Sequence, residues 1–129
     1  MNTPKHLVSE YRQFIANIRR VGAKRLESFE HPAYLKLASL LEDMTAHLGS
    51  DRSCSAVEEA AHGEDLFVVD ALTRELQFFN HLATEDAGGD SIAAGETVKT
   101  SFENLLQKLP DWIKKPLKIL NEILQLIKP

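Results

Sequence analysis

The chain has 129 residues, with 43% hydrophobic and 26% charged side chains and a formal net charge of −4. That length is one domain's worth and the balance is that of a soluble globular domain, which excludes a disordered tail rich in one sign of charge. No stretch approaches the roughly 18 uninterrupted apolar residues of a membrane span, and charges from Lys5 to Arg12 interrupt the place where a signal peptide carries its apolar core, so the expected location is the cytoplasm.

The first apolar series, Leu7, Tyr11, Phe14, Ile15, Ile18, Val21 and Gly22, recurs at three and four residues and predicts a helix that can continue through Leu26 to Phe29. Pro4 sits where a first-turn proline is tolerated, with Thr3 before it as a cap. His31-Pro32 marks a boundary, because the residue before proline avoids the helical region. A second helix then runs from Pro32 to Leu48 through Tyr34, Leu37, Leu40, Leu41 and Met44, with Gly49 in the place favoured for a left-handed cap. The third segment opens near Ser53 or Ser55, where Ser55 and Glu58 have the spacing of a capping box. Its apolar series is Leu66, Val69, Leu72, Leu76, Phe79 and Leu82 or Ala83, and Gly63 is a place where it can divide. Phe67, Ala71 and Phe78 widen this stripe, which predicts a central helix. Leu66–Val69 is strand-like in composition but lies inside a helical pattern, so it reads as helix. Thr84–Ala94, with its Gly-Gly pair and acids, reads as a flexible loop.

A fourth helix, from about Gly95 to Leu109, places Val98, Phe102, Leu105, Leu106 and Leu109 on one face, and Leu109-Pro110-Asp111 breaks it. The last segment, residues 111–128, is strongly amphipathic. At about 100° per residue, Trp112, Ile113, Pro116, Leu117, Ile119, Leu120, Ile123, Leu124, Leu126 and Ile127 fill half the circumference, and Lys114, Lys115, Lys118, Asn121, Glu122, Gln125 and Lys128 fill the other half. Pro116 either opens this helix or kinks one begun at Asp111. There is no repeat, hairpin signal or convincing strand. The expected fold is all-α: residues 1–129 form a single-domain bundle of about five helices without a sheet.

Charge is uneven along the chain. Residues 1–30 hold six basic and three acidic side chains, residues 31–100 four and thirteen, and residues 101–129 five and three. Basic ends around an acidic middle allow terminal helices to pack on central ones with complementary fields; solvated faces are the plainer account. The excess is far short of that of a nucleic-acid binder. The basic side of the first helix, with Arg12, Arg19, Arg20, Lys24 and Arg25, is accordingly read as a solvated face before a phosphate site.

Few residues assemble a recognisable chemistry. Glu59 and His62 stand on adjacent turns, half of the ligand set of a di-iron carboxylate bundle; the second half is missing, with Asp43 and His47 the nearest substitute and Glu58, His81 and Glu85 as possible additions. Scattered surface residues supply such pairs by chance, so no metal and no cofactor is expected. Arg74 and His81 lie seven apart on one helix face. That spacing resembles, at its outer limit, the arginine–histidine pair of the HEPN-type ribonucleases, and the resemblance covers eight residues. It implies a helical bundle in which the two side chains act on a phosphodiester in a dimer cleft. The plain alternative pairs Arg74 with Asp70 and leaves His81 near the negative end of the helix. Cys54, the one cysteine, excludes an internal disulfide or a four-thiolate metal site; its place near a helix start would lower a thiol pKa, but no local signature of a cysteine hydrolase surrounds it.

The functional expectation is a non-enzymatic helical interaction module, a homodimer or adaptor, with an enzyme using Arg74/His81 or Glu59/His62 as its rival. The terminal helix supports three readings: it completes the bundle core, the favoured one; it binds a second copy or another helical protein through Trp112, Ile113, Ile119 and Leu126, the serious competitor; or, distantly, it lies on a membrane, with nucleic acid not expected as a partner.

Overall fold

The computed structural model describes residues 4–27, 30–88, 100 and 102–125. Among these residues there are six helices and no strand. They are α1 (Pro4–Glu27), α2 (Pro32–Leu48), α3 (Asp51–His62), α4 (Leu66–Gly88), α5 (residues 102–108) and α6 (Asp111–Gln125). The all-α class stands. The sixth helix arises because Gly63 does divide the third segment: its N–H closes α3 onto the Ala60 carbonyl at 3.2 Å, and the Asp65 carboxylate then accepts from the Phe67 N–H at 2.9 Å to open α4.

Local chemistry sets the other ends. His31 caps α2 through Nδ1, which accepts from the Ala33 N–H at 3.1 Å, and Pro32 occupies the first turn where its missing donor costs nothing. Ser50, not Ser55, caps α3: its hydroxyl accepts from the Ser53 N–H at 3.2 Å and donates to the His47 carbonyl at 2.8 Å. The expected box at Ser55 is therefore displaced, since Asp51 already begins the helix. Gly49 also departs from expectation. Its φ of −89° is not left-handed; glycine suits this turn because a Cβ here would stand 3.1 Å from the Thr45 carbonyl oxygen and 3.6 Å from Ile15 of α1. Between α5 and α6, the Pro110 carbonyl accepts from the N–H groups of Ile113 and Lys114. The helix thus begins at Asp111, and Pro116 lies within it.

α4 runs on to Gly88, so Thr84–Gly88 is helix where a loop was expected; residues 89–99 lie outside the described residues.

α1 is the centre of the bundle. It packs against α4, α2 and α3, while α6 lies on α2. Leu7, Tyr11, Phe14, Ile15 and Ile18 of α1 are buried with Leu41 and Leu48 of α2, Cys54 and Val57 of α3, and Val69, Leu72, Leu76 and Phe79 of α4. Phe14 meets Phe79 edge to face at a centroid distance of 4.8 Å, and Phe102 of α5 closes the group at 5.6 and 5.8 Å from the two rings. Each aromatic contact of this kind adds roughly 0.5–1.5 kcal/mol to the burial of its rings.

Candidate functional site

The terminal helix turns one edge of its apolar side into the core and leaves another exposed. Ile113 is 1% exposed and belongs to the core with Leu117 and Leu120, whereas Ile119 is 53% exposed. The geometry explains the split. At about 100° per residue, Ile113, Leu117 and Leu120 fall within roughly 60° of one another, and Ile119 lies about 120° from Ile113. The apolar half-circumference therefore divides into a buried edge and an exposed one. Ile113 is withdrawn as a binding residue. Leu126 and the side chain of Trp112 lie outside the described residues.

The exposed apolar surface is concentrated on α4. Phe67 is 80% exposed and Phe78 58%, with Leu66 and Val68 also exposed at the start of the helix. Phe67, Ala71, Arg74 and Phe78 follow one another at helical spacing along one face, and each is exposed. The expectation that Phe67, Ala71 and Phe78 make α4 central is thus overturned: α1 covers one side of α4, and the far side faces water. Leu35, Leu40 and Ile119 are exposed on other helices.

The charged side chains of this region are held by one another. The Arg74 guanidinium lies 3.2 Å from the Asp70 carboxylate one turn earlier, as the plainer reading of Arg74 has it. Glu75 accepts from Lys108 of α5 at 3.1 Å. His81 is exposed in the middle of α4, seven residues before its end, and not at the helix terminus. An exposed arginine already engaged by a carboxylate is a weak phosphodiester ligand, because the anion must compete with Asp70.

The metal-ligand pairs do not converge. Glu59 and His62 are exposed on α3, and Asp43 and His47 are exposed on α2. Among the described residues no three His, Cys, Asp or Glu side chains gather where they could hold a metal ion.

Cys54 is 2% exposed, and burial pushes its thiol above the ordinary range; the nearby Arg12 pulls it down, less strongly. The expected lowering by helix-start amides is overturned. α3 begins at Asp51, so the Cys54 N–H already donates to the Ser50 carbonyl at 2.9 Å, and the side chain turns into the α1–α3 seam. Beside it, burial likewise raises the pKa of Tyr11, whose hydroxyl shares a hydrogen bond with Ser53.

Four buried polar residues among those described carry no signal of a site in the sequence: Thr45 and Thr73, which donate to carbonyls one turn back in their own helices, and Asn17 and Asn80. Asn17 donates to the Asn80 side-chain carbonyl at 3.0 Å across the α1–α4 seam. Asn80 in turn donates to the Glu10 backbone at 3.2 Å and to the Glu10 carboxylate at 2.9 Å. Arg20 donates to the Asn17 carbonyl oxygen at 3.1 Å and to the Ala83 backbone at 3.0 Å. What the sequence does signal is burial: each asparagine sits in register with an apolar stripe, Asn17 three residues after Phe14 and Asn80 four after Leu76. The network fixes the register of the two longest described helices.

The basic face of α1 has the same use. Arg12 reaches Asp51 of α3 at 2.7 Å, and Arg19 donates to Glu42 of α2. Complementary charge between the basic first helix and the acidic middle of the chain accounts for these ties.

Among the described residues no helix is long and apolar enough to cross a membrane. Compared with protein families, curated proteins and solved structures, the chain matches none.

Proposed function

We propose that the chain is a non-enzymatic helical interaction module of the cytoplasm, acting as a homodimer or adaptor through the outer face of α4. One observation carries the reading: Phe67 and Phe78, the two most exposed aromatic side chains described, share a helix face with Ala71 and stand in water. Exposed aromatic side chains of this kind are a cost that soluble domains accept where another surface covers them. Its setting supports a protein partner. Arg74, the basic side chain on the face, is matched by Asp70, so the lysine-rich rim of a membrane-bound helix is missing. Arg12 and Arg19 are spent on Asp51 and Glu42, which leaves little positive field for a nucleic acid on a chain of net charge −4. The buried thiol of Cys54 fits a reducing compartment.

The test uses size-exclusion of fresh cell extract, comparing the wild type with the double substitution Phe67→Ser, Phe78→Ser. The wild type should elute well above the 14.5 kDa of one chain, and the variant should elute as one chain while keeping its helical circular dichroism. A wild type that elutes as a single chain in extract and also stays monomeric when purified and concentrated would overturn the reading.

A further inference from the structure

We infer that the occupant of the α4 face is a second copy of this chain, bound as an antiparallel two-fold pair of α4 helices. This rests on the interaction reading above and names its partner.

The face runs Phe67, Ala71, Arg74, Phe78, in steps of four, three and four. A two-fold axis between residues 72 and 73 sets Phe67 of one copy opposite Phe78 of the other, and Ala71 opposite Arg74. Phenylalanine then covers phenylalanine at both ends. At the centre the smallest side chain meets the longest, so two helices can approach to ordinary packing distance without a clash. An isologous contact of this kind closes on itself and leaves no patch over.

The charges suit the same arrangement. Asp70 and Arg74 lie 3.2 Å apart within one chain. In antiparallel pairing a flank of one helix meets the same flank of its copy, so each Arg74 stands between its own Asp70 and that of the second copy. Gln77, the next residue on that flank, is uncharged, and Glu75 on the opposite flank is drawn to Lys108. Two chains of net charge −4 repel at a distance, but this face is close to neutral and its opposite charges alternate.

Area sets the strength. At about 200 Å² per phenylalanine side chain, exposures of 80% and 58% mean that the pair removes up to ~550 Å² of aromatic surface from water. A stable standard interface buries about 1,600 Å² in total. The rest of the face does not make up the difference, so the dimer belongs to the weak class, with a dissociation constant on the order of micromolar.

The purified full chain should be followed by light scattering from about 1 µM to about 500 µM. The expected result is a monomer–dimer transition within that range. Phe67→Ser or Phe78→Ser should weaken it by at least about tenfold, while Leu35→Ser, at an exposed apolar residue on α2, should leave it within about twofold. Register is read by mixing Ala71→Cys chains with Arg74→Cys chains under mild oxidation: the mixed disulfide should form in several-fold excess over either symmetric one. A wild type that stays monomeric at the highest concentration overturns the proposal, as does a dimer indifferent to both phenylalanines. A dimer without the mixed cross-link overturns the antiparallel register. If the purified chain is monomeric while the extract form runs large through Phe67 and Phe78, the second copy is wrong and the interaction reading stands; if both run as single chains, both fall.

Discussion

α1 and α4 are nearly equal in length, 24 and 23 residues, and they pack side by side, yet they use their surfaces in opposite ways. α1 is enclosed by α2, α3 and α4, and the polar residues on its rim reach outward to bind them: Arg12 to Asp51, Arg19 to Glu42, Arg20 to the Ala83 carbonyl, Asn17 to Asn80. α4 is covered on one side only, and its far side carries phenylalanines where α1 carries arginines. The contrast separates two things that apolar content alone runs together. A helix is central when neighbours surround it, and its polar residues then fix their orientation. A helix with more apolar positions than neighbours keeps the surplus for something else.

The largest effect should come from the seam the two helices share. Leu76→Ala should cost about 2–5 kcal/mol and Phe14→Ala about 3–5 kcal/mol in urea unfolding followed by circular dichroism, since both side chains are fully buried. Phe78→Ser on the same α4, measured in dilute solution, should change stability by less than about 0.5 kcal/mol. Equal losses at Leu76 and Phe78 would erase the distinction between the two sides of the helix.

A smaller effect is expected from the polar part of that seam. Asn80→Ala should cost about 1–3 kcal/mol, because it strands the buried Asn17 amide. Combined with Asn17→Ala, the loss should fall short of the sum of the single losses, and strict additivity in the double-mutant cycle would show that the two amides do not act together.

Alkaline pH sharpens the comparison from the α1–α3 side. Burial raises the pKa of both the Cys54 thiol and the Tyr11 hydroxyl, so the folded state favours their neutral, protonated forms more than the unfolded chain does. The stability this confers is complete below the ordinary values of 9.0 and 10.0 and is lost as pH rises through the higher folded values. Unfolding free energy should be level from neutral pH to about 8 and fall above it. Cys54→Ala should remove part of the fall, and a pH-independent profile to strongly alkaline conditions would contradict the burial of both groups. The smallest effect belongs to the Glu75–Lys108 tie: Glu75→Gln should cost about 0.2–1 kcal/mol and less at high salt. A greater loss there would mean that α4 depends on α5 more than on α1.

Most of the fold was legible because its signals are local. His31-Pro32, the break at Leu109-Pro110 and the helical spacing of Leu72, Leu76 and Phe79 act within a turn or two of chain, and each stands where it was read. Gly63 was legible as a point of division, though not that the chain would divide there. The candidate site was less legible. Spacing identifies Phe67, Ala71 and Phe78 as apolar positions, but which side of α4 receives a neighbour depends on α1, far away in sequence. The same limit placed Ile113 on a surface, because a half-apolar circumference does not say which of its edges turns inward. The asparagine pair was visible as two polar residues in apolar stripes, and nothing short of the folded chain could say that they meet.

The Asn17–Asn80 contact joins residues 63 apart in the chain, and this bears on how the protein is made. During synthesis at about 5–20 residues per second, α1 emerges several seconds before the stretch of α4 that completes its seam. Over that interval Phe14 and Ile18 have α2 and α3 for company but not Phe79, and the Asn17 amide N–H donates to water in place of Asn80. The nascent bundle therefore passes through a stage with its central helix half clothed, and sealing it requires closure of a long loop instead of growth from a local nucleus. A chain built in this order is most exposed to misassembly just before α4 arrives, and a ribosomal pause after α3 would lengthen that window.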